Sequence, residues 1–435
     1  MIKNKKLLLT LGSVSLLTVA SMTAISCGNK TLQTAPDKLE TKIGDVKLEG
    51  GEKLEAVDKK SVIMITDAGR INDKSFNQST YEGGWLAANQ YGMLKNFMHL
   101  IPGDDSKIEA QYIDALSNKM NVWLLSGFKH ADPISNFYKK YNADMIKNKS
   151  IIVGTDYIPA VPEGYGIGLT FKVEQSAYIV GYAAADFLAK KYPDAKDAEK
   201  RSVYAFGGGL FDGVTGFIRG FYEGIRAYNK AHTDKKTKII LTQDKVDLAS
   251  GFVPGDAMTA SVTAAITSKA SIILPVAGPA TGELLEKMKG AEFNDKLVIG
   301  VDVDQSLSYE SHKTKFFSSI TKRIAQGNYD IASELYAGKD KYKIIKGFEV
   351  GVKSVVVNGD YANNLVGFAP TQVAGEDKVK AEAALKEAET NFKAIKDIPT
   401  TLDDKRYLEA VNAKDKGVSL LNYLKTLAQN ANEGK

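Results

Sequence analysis

The stretch TDAGRINDKSFNQSTYEG, residues 66–83, sets one aromatic ring, Phe76, among acids, amides and hydroxyls. A polar loop after an apolar strand needs no such ring. At the edge of a cleft, Phe76 can stack the face of a planar ligand while polar neighbours, Asp67 and Asn77 among them, orient it by hydrogen bonds. The same ring also falls on the stripe Phe76, Thr80, Gly84, Ala88, where it would be the first apolar residue of a core-facing helix. The pattern leaves both readings open. Three further apolar runs close on an aspartate: VIMITD ends at Asp67, IIVGTD at Asp156 and KLVIGVD at Asp302. A carboxylate at the end of a strand can hydrogen-bond a ligand or cap the next helical turn.

Other chemistries lack their residues. His99, His130, His232 and His312 never fall at the helical spacing of a metal pair, and no serine occupies a Gly-x-Ser-x-Gly elbow. The run FGGGLFDGVTGF follows the strand-like SVYAF and opens a helix, as a phosphate loop does. Yet Gly213 precedes Val214 and Thr215 where a Walker loop needs Lys and then Ser or Thr, and Asp212 stands where a dinucleotide fingerprint needs a small residue. The run reads as a glycine-rich turn that lets the backbone pass close to a cleft. Cys27 is the only cysteine, which excludes an internal disulfide and any site built from several thiols. The formal net charge of +5 falls to +2 without Lys3, Lys5 and Lys6, and so small an excess is no nucleic-acid footprint.

The scaffold is legible in the apolar runs SVIMIT, NVWLLS, SIIVGT, SVYAF, KIILT, SIILPV and KLVIGVD, each followed by a polar turn and a helix-length segment. Such alternation predicts parallel sheets covered by helices. The pattern starts twice, at Ser61 and at Ser202, with VEQSAYIVGYAAADFLAKKY between the two runs. Two α/β lobes follow, sharing a cleft at the carboxyl ends of their strands. The first is expected over residues 61–195, completed by part of 305–340; the second over 196–304, completed by part of 340–370. Asn72 or Asp73 is the expected N-cap of a helix running through Phe76 toward Tyr91. Residues 371–435, rich in Ala, Lys and Glu, predict a helical extension packed on one lobe.

Residues 1–26 have the layout of an export signal, a lysine-bearing start followed by an uncharged apolar run. Cys27 follows TAIS at the cleavage junction, the place of a lipidated cysteine, with Ala24 where a lipobox usually has Leu. An uncleaved apolar anchor is the alternative. Residues 27–60 read as a flexible tether.

Residues 66–83 resemble the signature of the basic membrane protein family, bacterial surface lipoproteins that serve as nucleoside-binding components of ABC transporters. GFKHAD, IIVGTDY, LTFKVEQSAYIVGYAA, FGGG, GFIRGFYEG, VAGPATGELL, GVDVDQS and SSITKRI follow in the family's order across residues 61–364. The resemblance implies a type I periplasmic-binding-protein fold, two Rossmann-like lobes with a hinge, closing on a nucleoside, purine preferred. It implies no reaction and no cofactor, a monomer held on the outer membrane face through Cys27, and a permease and an ATPase on separate chains. Phe76 matches the aromatic of the Ser-Phe-Asn-Gln motif, beside Asn77, and Phe252 matches a second ring from the other lobe. Asp302 would accept from the ribose hydroxyls, or Asp304 in its place if it does not cap the next turn. Asp67 and Asp156 match positions at the sugar or base edge, and each has helix capping as its alternative. Lys322 would bond a base or ribose oxygen, Gly278 would let the backbone approach the ligand, and Phe128 would complete the wall. Arg70 and Pro279 depart from the family pattern. A sugar or other small polar metabolite would use the acids but leave the paired rings less well explained. An adhesin or host-signalling lipoprotein is a further alternative, and a hydrolase would have only Asp67 and Asp73 as a carboxylate pair without a metal.

Overall fold

The computed structural model describes residues 32–67 and 69–435; the leader, Cys27 and residues 28–31 lie outside them. The strands are β1 (Gln33–Thr34), β2 (Val62–Thr66), β3 (Phe97–Leu100), β4 (Val122–Ser126), β5 (Ile151–Thr155), β6 (Gly166–Phe171), β7 (Ser202–Gly207), β8 (Lys238–Ile240), β9 (Ile272–Val276), β10 (Leu297–Asp302), β11 (Phe316–Lys322), β12 (Val355–Gly359) and β13 (Val366–Phe368). One sheet runs β1-β3-β2-β4-β5-β6-β12 and the other β13-β11-β10-β9-β7-β8. Within each, neighbours pair in parallel except at one end, where β1 meets β3 and β13 meets β11 antiparallel. Every residue of β2, β4, β5, β7, β9 and β10 is buried. That is the burial of strands covered by helices on both faces, and it explains why these strands are continuous apolar runs rather than alternating ones.

The chain passes between the lobes three times. After β6, helix Val173–Lys191 enters the core of the second lobe; after β11, helix Ile324–Ala337 packs into the first; and the chain then runs from β12 in the first sheet to β13 in the second. The lobe boundaries expected from the sequence therefore shift. The sequence pattern assigns helix Val173–Lys191 to the first lobe, whereas 16 of its 19 residues are buried and they pack with the second sheet, helix Asp212–Ala231 and the C-terminal extension. Likewise β11, within 305–340, belongs to the second sheet, and β12, within 340–370, to the first.

The expected flexible tether is a second correction. Residues 32–60 lie along helix Phe76–Gln90, with Val46 and Ala56 buried. The reason is polar. The Glu82 carboxylate accepts from the backbone N–H of Ile43 and of Gly44, both at 2.8 Å, Trp85 Nε1 donates to Pro36 O at 2.8 Å, and Gln90 Nε2 donates to Glu49 O and Glu52 O at 2.8 and 3.0 Å. Buried polar side chains need such partners, and an aperiodic segment supplies them from its backbone. The extension packs on the second lobe: helices Glu376–Lys393, Asp404–Val411 and Lys416–Glu433 bury Leu385, Leu420, Leu424 and Leu427 in its core, and Asn229 Nδ2 donates to Ala431 O at 2.8 Å.

Candidate functional site

The carboxyl ends of β2, β4 and β5 in one lobe and of β9, β10 and β11 in the other open on one interlobe cavity. Asp67, Phe76, Asn77, Phe128 and Asp156 line it from the first lobe, and Phe252, Gly278, Asp302 and Lys322 from the second. Nine of the ten ligand residues expected from the sequence thus converge. The tenth, Asp304, lies outside this lining; its Oδ1 accepts from Ser306 N and Ser306 Oγ at 3.2 and 2.6 Å, capping the turn Gln305–Leu307. The free volume is about 60 Å³, so a ligand of nucleoside size is accommodated only as the lobes part and re-close around it.

Asp73 builds the first-lobe wall. One of its carboxylate oxygens accepts from the N–H of Ser75 and of Gln78 at 3.0 and 3.1 Å, the other from the N–H and Nδ2 of Asn77, both at 3.0 Å. These bonds fix the start of helix Phe76–Gln90 and so the position of Phe76. Burial raises the Asp73 carboxyl, and the four donors pull it back down. Farther along the stripe, Thr80, Gly84 and Ala88 are buried against the sheet, whereas Phe76 is only half-buried and stands at the cavity.

Direct bonds join the lobes. Ser75 Oγ donates to Asp302 Oδ2 at 2.6 Å, and Lys322 Nζ lies 2.6 Å from Asp156 Oδ2; within the second lobe Lys322 Nζ also donates to Gly213 O at 3.3 Å. Asp156 and Asp302 both adopt φ of +67°, a left-handed conformation unusual for a residue with a side chain. It recurs at the equivalent ends of β5 and β10, one in each lobe. Burial pushes the Asp302 carboxyl up to about 6, opposed by Lys322 and the Ser75 hydroxyl and reinforced by Asp156 and Asp73. Gly278 is approached by the other lobe: an added Cβ would lie 2.5 Å from Ser75 Cβ.

The rings complete the cavity. Lys322 Nζ sits 5.7 Å from the Phe76 ring centroid and 5.0 Å from that of Phe217, within cation–π range. Phe252 rests against the backbone of Gly208, where a Cβ would strike its ring. Phe128 stacks on Phe211 with centroids 3.7 Å apart. Ser75, Phe217 and Phe211 are the functional candidates that the sequence reading passed over. Ser75 was visible in the motif beside Phe76; Phe217 and Phe211 are indistinguishable from core residues by spacing. Among the described residues no group of three His, Cys, Asp or Glu side chains converges as a metal set.

Comparison with known proteins places the chain in a family. The family model described as ABC transporter substrate-binding protein PnrA-like, Bmp, matches residues 60–378. Basic membrane protein B of Borreliella afzelii is 27% identical over 311 residues, covering 69% of this chain and 81% of the relative. The ABC transporter nucleoside-binding protein BmpA of Lactococcus lactis is 26% identical over 289 residues, covering 63% and 75%. An ABC transporter solute-binding protein of Aeropyrum pernix K1 superposes with a TM-score of 0.55 at 17% identity over 86% of this chain and 92% of that one, a likeness of fold. The fold is that of type I periplasmic binding proteins. The chain belongs to the Bmp family of PnrA-like ABC transporter substrate-binding proteins, and so is a binding component that works with permease and ATPase partners rather than an enzyme.

Proposed function

We propose that this protein captures nucleosides, purines by preference, in the interlobe cavity and delivers them to an importer. The supporting observation is that Phe76 and Phe252, from opposite lobes, line one cavity together with Asp67, Asp156, Asp302 and Lys322. Rings suit the two faces of a base, each stacking contact contributing about 1–3 kcal/mol by analogy with base stacking in nucleic-acid proteins. Asp302, at the end of β10, suits the vicinal hydroxyls of a ribose, and Lys322 with Asp67 or Asp156 suits the polar edge of sugar or base. The nucleoside-binding name of the Lactococcus lactis relative points the same way.

Because these groups come from both lobes, a ligand that touches all of them stabilises the closed form selectively. Delivery from the outer membrane face follows from lipidation of Cys27. A panel of guanosine, adenosine, inosine, uridine, ribose and glucose, read by thermal shift on the chain from Gly28 onward, tests the reading. Purine nucleosides raise the melting temperature most. A shift from a sugar with none from any nucleoside overturns it. Mass measurement of the membrane-extracted protein tests the anchor: a diacylglyceryl adduct on a chain beginning at Cys27 is expected, and an intact residue 1–26 leader contradicts it.

A further inference from the structure

We propose that Phe211 seals the interlobe cavity on the side of the C-terminal extension, by a stack on Phe128 that exists only when the lobes are closed. The inference rests on the cavity being the ligand site. Phe128 follows β4 in the first lobe, and Phe211 lies between β7 and helix Asp212–Ala231 in the second. Their rings are 3.7 Å apart between centroids and inclined by 26°. A face-to-face pair whose members ride on different lobes forms on closing and breaks on opening.

The pair also stands at a boundary. Phe128 lines both the cavity and a neighbouring groove of about 560 Å³, whereas Phe211 lines the groove alone. A ligand leaving toward the groove passes the edge that the two rings form with Asp156 and Gly213. Asp156 and Gly213 line both spaces too, so the Lys322–Asp156 pair stands beside the rings at the same boundary, and the Ser75–Asp302 bond ties the lobes elsewhere around the cavity.

The extension holds Phe211 in place. Tyr407 OH and Thr215 Oγ1 are 2.8 Å apart, Lys416 Nζ donates to Asp212 Oδ1 at 3.3 Å, and Leu210 packs toward Gly417. Arg219, on the same helix as Asp212, donates to Leu402 O at 2.8 Å and lies 4.2 Å from the Tyr407 ring. All of these partners lie beyond residue 378, where the family match ends. They thus give the extension a task that the family fold does not.

Two measurements test the proposal on the chain from Gly28 onward. The first is stopped-flow binding of 2-aminopurine riboside to wild type, Phe211→Ala, Phe128→Ala and the double variant, with Phe211→Leu as the version that keeps apolar bulk. Loss of the stack speeds dissociation about three- to tenfold and leaves association within about twofold, because the pair forms after encounter. The double variant dissociates no faster than Phe128→Ala alone. The second, independent of ligand, is the distance distribution between spin labels at Lys147→Cys and Glu286→Cys, one on each lobe, in a chain that otherwise holds no cysteine. Phe211→Ala widens it toward longer distances. Independent multiplication of the two single-variant effects overturns the proposal, as does a Phe211→Ala variant unchanged in both dissociation rate and distance. Wild-type protein that binds no nucleoside while Phe211→Ala still widens the distance overturns the ligand assignment and leaves the gate standing.

Discussion

Lys322 of the second lobe sets its Nζ 2.6 Å from Oδ2 of Asp156 in the first, with both side chains almost wholly buried. Two charges desolvated together by lobe closure make closure sensitive to the loss of either. Removing one partner of a buried pair costs about 3–5 kcal/mol, because the other charge is left without compensation. Lys322 retains Asp302 nearby as a second carboxylate, so Asp156→Asn should be milder than Lys322→Met, which leaves Asp156 and Asp302 facing each other. Titration with inosine is expected to show at least a tenfold loss for Lys322→Met and a smaller one for Asp156→Asn. The reverse order contradicts this electrostatic account.

Asp302 gives the closed form a pH dependence. Its carboxyl is held near 6 by burial against an ordinary value of 3.8. A carboxyl raised in the folded state binds its proton more tightly there. Its contribution to stability is therefore complete below about pH 4 and is lost as pH rises through about 6. The ligand-free protein should lose stability across that window by up to about 3 kcal/mol from this group, and Asp302→Asn should flatten the curve by its share. Asp330 and Glu223 are also pushed up to about 6, chiefly by burial, so the readable quantity is the wild-type minus variant difference in melting temperature. Parallel curves from pH 4 to 6 contradict the assignment.

Gly278 tests whether closure is needed for binding. A methyl group there would lie 2.5 Å from Ser75 Cβ and 2.7 Å from its Oγ, both in the opposite lobe. Gly278→Ala should therefore hold the lobes apart while each keeps its own core. Affinity is expected to fall at least tenfold, with a melting shift of no more than about 2–4 °C, the size of a 1 kcal/mol change. A variant that binds as wild type shows that the ligand does not require this approach of the lobes.

Residues 32–60 behave as part of the first lobe in this account. A chain starting at Ser61 leaves the Glu82 carboxylate without the Ile43 and Gly44 donors and Trp85 Nε1 without Pro36 O. Each buried polar group so abandoned costs about 1–3 kcal/mol. The shortened chain is expected to melt several degrees lower than one starting at Gly28, with faster amide exchange in helix Phe76–Gln90. Equal melting temperatures would return the segment to the status of a tether.

The sequence carried much of this arrangement where one force dominates. All seven apolar runs are strands, and six of them are buried throughout, because a strand covered on both faces has no polar positions to disguise it; the seventh, β8, is a partly exposed edge. Strands β1, β3, β6, β11, β12 and β13 escaped notice: β1 is two exposed residues, FMHL carries a histidine, GIGLTF two glycines, FFSSITK a run of hydroxyls, and β12 and β13 are half-exposed. The converging aspartates were legible because they end strands. The choice between Asp302 and Asp304 was not, since both are good caps and only the turn Gln305–Leu307 assigns Asp304 to Ser306. The wrapped segment 32–60 was illegible for a different reason: its backbone does the bonding, and backbone groups leave no mark on residue type.

In the proposed function, rings and carboxylates from both lobes read a nucleoside as one unit. Isothermal titration of the chain from Gly28 onward with inosine, hypoxanthine and ribose, repeated on Phe76→Ala and Asp302→Asn, tests it most directly. Inosine is expected to bind far more tightly than either of its halves, with Phe76→Ala weakening it by about 1–3 kcal/mol and Asp302→Asn by about 1.5–3 kcal/mol. Ribose binding as tightly as inosine, with Phe76→Ala unchanged, would contradict it.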